Sequence, residues 1–107
     1  MFEVHWTTPA QEDLLSIIEY ISSMLKAPTA AETLLDEIEM ETAILEENPF
    51  LFPFSQDEYI AKRGIRHMLV KNYFLFYTIE EDARIVSIIR MMYARRDWMN
   101  LLGGSSR

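Results

Sequence analysis

Nine side chains in the second half of the sequence are of types that could do chemistry together: Arg66, His67, Lys71, Tyr73, Tyr77, Arg90, Tyr93, Arg95 and Arg96. Cleavage of RNA without a metal needs a base for the 2′-hydroxyl, an acid for the leaving oxygen and cations for the phosphate. This set could supply all three. Without a base and an acid in place, the same residues would still make a basic, aromatic surface for phosphates or nucleobases. Cysteine is absent, which excludes a thiolate zinc site, a Cys nucleophile and a disulfide scaffold. No metal site and no cofactor is expected.

Each candidate also has a plain structural reading. Arg66 and Arg90 are flanked by apolar residues, so each either snorkels from a sheet edge or lines an open sheet face. If helices cover one face, the two arginines are expected to share the other. His67 neighbours Arg66 and must point the opposite way, toward the helix-covered side, as a structural histidine. Tyr73, Phe74, Phe76 and Tyr77 form an aromatic strand that fills a core or stacks on bases. Arg95 and Arg96, directly before Asp97, are the most exposed basic pair. The carboxylates Glu80, Glu81 and Asp82 read as a solvated turn, and His5 carries no chemistry of its own.

The elements that must position these groups follow from patterning. Residues 2–6 (FEVHW) alternate with Phe2, Val4 and Trp6 on one face, a strand. Thr8 reads as the N-cap of a helix over residues 9–25, with Pro9 at its first position and Gln11 completing a capping box. Leu14, Leu15, Ile17, Ile18, Ile21, Met24 and Leu25 follow at helical spacing. After Ala27-Pro28 a second helix opens at Thr29 or Ala30, carries Ala31, Leu34, Leu35, Ile38 and Leu45, and ends at Asn48-Pro49. So short a connection predicts an antiparallel helical hairpin. Residues 50–59, interrupted by Pro53, read as a loop over the core. Three strands follow, at 64–71, 72–79 and 84–93, spaced for an antiparallel meander. Residues 97–102 read as a short final helix, and 103–107 as a disordered tail. The order is β-α-α-β-β-β in a single α+β domain spanning residues 1–102.

Composition frames the partners. The 107 residues carry a net charge of −7, which argues against nucleic-acid binding by the chain as a whole. The charge is unevenly placed. Residues 1–50 hold eleven acids and one base, Lys26, a balance of −10, whereas residues 51–107 hold nine bases and six acids, a balance of +3. Such asymmetry suggests two faces with different partners, although an acidic helical face can also serve solvation alone. No apolar run reaches the ~18 residues that span a bilayer, and the N-terminus lacks the basic start and apolar stretch of a signal peptide. No membrane partner is expected, and the cytoplasm is the default compartment.

Three stretches, Gly64-Ile65-Arg66, the run from Asn72-Tyr73 to Phe76-Tyr77, and Arg90 followed by Tyr93, Arg95, Arg96 and Asp97, together resemble the RelE/ParE superfamily of toxins. These are the toxins of type II toxin–antitoxin modules, also known as plasmid stabilisation proteins. The resemblance runs from Phe2 to Leu102. It implies a twisted antiparallel sheet packed on the helical hairpin, and a cytoplasmic toxin neutralised by a cognate antitoxin. Some members cut mRNA in the ribosomal A site, and ParE-like members poison DNA gyrase without cutting anything. If this chain were a ribosome-dependent endoribonuclease, the resemblance implies that Arg66, Arg90, Tyr93 and Arg95 would carry the reaction. Arg95 matches a phosphate-contacting arginine of the nuclease members. Phe74 stands where they have another arginine, Leu101 where they have a Tyr or His, and Tyr93 is out of register. These departures turn the reading toward the ParE side and toward a toxin that binds a gyrase-type target. A degenerate toxin that keeps only antitoxin binding is the third alternative. Arg95, Arg96, Trp98, Met99 and Leu102 are the expected partner-binding residues, receiving an antitoxin segment as an amphipathic helix or added strand. Self-association and a toxin–antitoxin hetero-oligomer are both compatible with such a surface.

Overall fold

A computed structural model describes residues 1–94. Arg95, Arg96, Trp98, Met99, Leu101 and Leu102, the expected final helix and the expected tail 103–107 lie outside the described residues. The elements are β1 (Glu3–Trp6), α1 (Thr8–Glu19) with a π-helical turn (Tyr20–Met24), α2 (Pro28–Glu47), α3 (Glu58–Lys62), β2 (Arg66–Val70), β3 (Tyr73–Glu80) and β4 (Ile85–Tyr93). This is an α+β fold.

The four strands form one sheet in the order β1-β4-β3-β2. The meander β2-β3-β4 is antiparallel, as the turn spacing predicts. The first strand joins it in parallel, with Glu3 to Trp6 opposite Ile85 to Ile88. A parallel neighbour requires a crossover, and the helical hairpin together with the meander supplies it.

The hairpin buries its apolar stripe on one face of the sheet. Ala10 and Ile21 from the first helix and Ala31, Leu34, Ile38 and Leu45 from the second meet Met68, Val70, Leu75, Tyr77, Val86, Ile88 and Met91. Thr7, not Thr8, is the N-cap: it accepts from the Ala10 amide at 3.4 Å. Its own amide donates to Ile88 O at 3.0 Å, so the chain stays extended through Thr7 and turns helical one residue earlier than the pattern suggests. The last turn of the first helix widens to π geometry, with Leu25 N bonded to Tyr20 O, and Lys26 at φ 53° closes it. The second helix starts at Pro28 and is capped at Asn48.

The segment expected to be a loop over the core is more structured than that. Ser55 N donates to Ile65 O and His67 N to Pro53 O, so residues 53–55 run along the outer edge of β2. Asp57 then caps α3 by accepting from Ile60 N at 3.0 Å. This short helix delivers Ile60, fully buried, to the sheet face opposite the hairpin, where it joins Ile65, Phe76 and Met92. The sheet therefore has a large core on one side and a small one on the other.

Candidate functional site

Strand register decides which of the chemically interesting residues can meet. Arg66 lies opposite Tyr77 and His67 opposite Phe76. Tyr77 belongs to the hairpin-side core and Phe76 to the small core on the far side. Arg66 is thus on the hairpin side of the sheet and His67 on the far side, the reverse of the expected placement.

Arg90 lies opposite Phe76, while Ile88 lies opposite Tyr77. One step on β3 corresponds to two on β4, so Ile89 is the extra residue of a β-bulge. Ile88 and Arg90 would share a face in a regular strand, and the bulge turns Arg90 to the far face. The expectation that Arg66 and Arg90 line one open face is therefore overturned. They stand on opposite faces, and each has an internal partner.

The Arg66 guanidinium reaches the edge of β2 and donates to Phe52 O at 2.6 Å. It lies 4.0 Å from the Phe54 ring centroid and 5.5 Å from that of Phe50. Such a cation–π sandwich together with a carbonyl bond holds residues 50–54 against the sheet. Below it, the Tyr77 hydroxyl donates to Pro49 O at 2.7 Å. Burial pushes the Tyr77 phenol up to about 12, opposed in part by the nearby Arg66 charge.

Arg90 makes a two-pronged ion pair with Asp13 of α1, Nε to Oδ2 at 2.6 Å and Nη2 to Oδ1 at 3.0 Å. Asp13 Oδ2 also accepts from the Met91 amide at 3.0 Å. The hydrogen bond to Asp13 is the main cause of a raised Arg90 pKa. β1 stops at Trp6, so among the described residues the outer edge of β4 beyond Ile88 has no neighbouring strand. The side chains of Thr7, donating toward Ile88 O and Ile89 O, and Asp13 bond that edge instead.

Next to this pair lies a cavity of about 700 Å³ whose wall includes Asp13, Ser16, Tyr20, Tyr73, Met91 and Tyr93. The Tyr73 and Tyr93 rings meet edge to face with centroids 5.7 Å apart. Burial, then the neighbouring Tyr93 and Tyr20 hydroxyls, raises the Tyr73 pKa. Asp13 and Tyr20 escaped the reading of candidate residues. The available signal was spacing, because Asp13 falls three residues after Ala10 and four before Ile17, on the inward flank of the helix. On the far face the His67 ring packs against Phe74 at a tilt, with centroids 4.8 Å apart, and lies 6.2 Å from Phe76. Its Nδ1 is buried without a hydrogen-bond partner, and burial lowers its pKa. Among the described residues no group of acids and histidines could hold a metal ion, and no helix is long and apolar enough to cross a membrane.

Residues 4–98 match the family described as ParE toxin of type II toxin-antitoxin system, parDE. The fold resembles three solved structures. A chain of the chromosomal ParDE TA system from P. aeruginosa has TM-score 0.71 and 18% identity, with 89% of this chain and 98% of that one covered. The RelBE2 toxin-antitoxin complex from Mycobacterium tuberculosis gives TM-score 0.60 and 20% identity, covering 86% and 96%. YafQ from E. coli strain BL21(DE3) gives TM-score 0.55 and 11% identity, covering 87% and 93%. No curated protein matches the sequence at a significant level.

Proposed function

The chain belongs to the ParE toxin family of type II toxin–antitoxin systems, and from that membership we propose that it inhibits growth by binding a target of the DNA gyrase type, without cutting RNA. A cognate antitoxin neutralises it, and both act in the cytoplasm. The observation that carries this reading is the separation of Arg66 and Arg90. A phosphate in a cleavage transition state needs cations converging on one point. Here Arg66 is bonded to Phe52 O at the β2 edge of the sheet and Arg90 is paired with Asp13 of α1 two strands away, beside β4. Phe74, where nuclease relatives have an arginine by resemblance, lies against His67 on the far face, and that imidazole is held toward its neutral form by burial. Tyr93, the remaining described candidate, packs against Tyr73.

The test uses one purified preparation in two assays. Supercoiling of relaxed plasmid by gyrase should be inhibited, while mRNA on translating ribosomes should stay intact. Discrete A-site cuts that vanish in Arg95→Ala, with gyrase unaffected, would reverse the assignment.

A further inference from the structure

The outer surface of the helical hairpin holds a second depression, of about 600 Å³, lined by Trp6, Gln11, Leu14, Leu15, Ile18 and Leu35. Leu15 and Leu35 are 62% and 40% exposed, one from each helix, although the hairpin has ample core positions. The two helices repeat one pattern around these leucines. Glu12 and Glu19 stand three before and four after Leu15, and Glu32 and Glu39 stand three before and four after Leu35. Residues at those offsets are neighbours on a helix surface. All four glutamates are exposed, and none has an ion-pair partner among the described residues. Residues 1–50 offer a single basic side chain, Lys26.

We propose that this groove is the docking site of a basic amphipathic helix, whose apolar stripe lies on Leu15 and Leu35 and whose Lys or Arg residues flank it. The proposal rests on the toxin–antitoxin reading and names the chemistry of the antitoxin segment. Two arguments select this occupant. A second copy of the chain seated groove to groove would bring eight unpaired glutamates together, and like charges so placed repel. A helix with cations on both sides of its stripe satisfies both rows at once. The spacing also sets the period. Glu12 and Glu19 are seven residues apart, as are Glu32 and Glu39, or about 10 Å along each axis. The partner's cations should therefore recur every seven residues, in the manner of the flanking charges of a coiled coil.

The test measures binding of two fluorescently labelled helical peptides by anisotropy. Both carry leucines at coiled-coil spacing. One has lysine at the flanking positions and the other glutamate. The lysine peptide should bind at least about tenfold more tightly, and rising salt should erode the difference. Replacing both exposed leucines (Leu15→Ser with Leu35→Ser) should weaken it about tenfold, because these side chains form the floor. Reversing the rim (Glu12→Lys, Glu19→Lys, Glu32→Lys, Glu39→Lys) touches only exposed positions and should invert the preference between peptides. Four rim pairs changed from attraction to repulsion correspond to about a 10- to 100-fold loss for the lysine peptide. Equal binding of the two peptides, or lysine-peptide binding indifferent to the leucine changes, overturns the proposal. The polypeptide encoded beside this gene is tested in the same format. If it binds the parent and the rim-reversed chain equally, the antitoxin reading stands and the groove proposal falls. If it does not bind while the peptide results hold, the groove proposal stands and that antitoxin reading falls.

Discussion

Removing the Asp13 carboxylate should unseat the far end of β4. In Asp13→Ala the Arg90 guanidinium loses both of its acceptors there and the Met91 amide loses its acceptor. Breaking a fully buried pair costs about 3–5 kcal/mol. The two side chains here are 32% and 18% exposed, so the freed guanidinium can turn toward water and the pair is discounted to about 1–2 kcal/mol. The stranded Met91 amide adds about 1 kcal/mol. The sum is about 2–3 kcal/mol, which in a domain of this size lowers Tm by roughly 8–15 °C. Asp13→Asn keeps an acceptor for the Met91 amide and should lose about half as much. Thermal and urea unfolding followed by circular dichroism measures both. A double-mutant cycle with Arg90→Met isolates the pair, with an expected coupling of about 1 kcal/mol or more. A Tm within 2 °C of the parent in Asp13→Ala, or a coupling below about 0.3 kcal/mol, would refute the view that this pair secures the strand end.

Three other perturbations follow from burial. Tyr77 is neutral in the folded state up to about pH 12 and ionises near 10 when unfolded; stability from this group is therefore complete below pH 10 and lost as pH rises toward 12, by about 2–3 kcal/mol. Tyr77→Phe should flatten that alkaline limb in pH-dependent urea melts, and should also cost about 1 kcal/mol at neutral pH through the stranded Pro49 carbonyl. The folded pKa of His67 lies below 6.5, so its contribution is complete above pH 6.5 and declines as pH falls from there toward the folded pKa. His67→Phe should remove that acid-side decline, as seen in Tm between pH 7 and 5. Ile60 is fully buried on a helix of only five residues; Ile60→Ala should cost about 2–4 kcal/mol, and proteolysis should show whether cutting rises first within residues 55–65.

The hairpin and meander were legible because their signals are periodic and local: apolar spacing in the helices, Asn48-Pro49 as a stop, and polar turns between aromatic strands. The helix at residues 58–62 was not, since five residues are too few to establish a period. Its one local mark is Asp57 as a cap. The site was harder to read for a different reason. Face assignment in a strand is a matter of odd and even counting, and a single inserted residue reverses it. Nothing in the run Ser87-Ile88-Ile89-Arg90 marks Ile89 as the bulge, because three apolar or small residues fit either count. Arg90 reaches the far face, where it is expected, only through that inserted residue, and the shared basic face fails at Arg66, whose register opposite Tyr77 puts it on the hairpin side. The parallel pairing of β1 was equally invisible, because alternation specifies a strand and not its neighbour.

The side chains that bond the outer edge of β4 have a consequence for how the chain behaves in a crowded solution. An unpaired strand edge is a template on which another chain can add, and proteins generally blunt such edges. Beyond Ile88 no strand among the described residues lies beside this edge, yet Thr7 occupies two of its carbonyls and Asp13 its Met91 amide. The protein thereby closes with two side chains an opening that would otherwise invite edge-to-edge growth. The first helix, whose second turn carries Asp13 into place, serves as a guard against misassembly as well as a wall of the core.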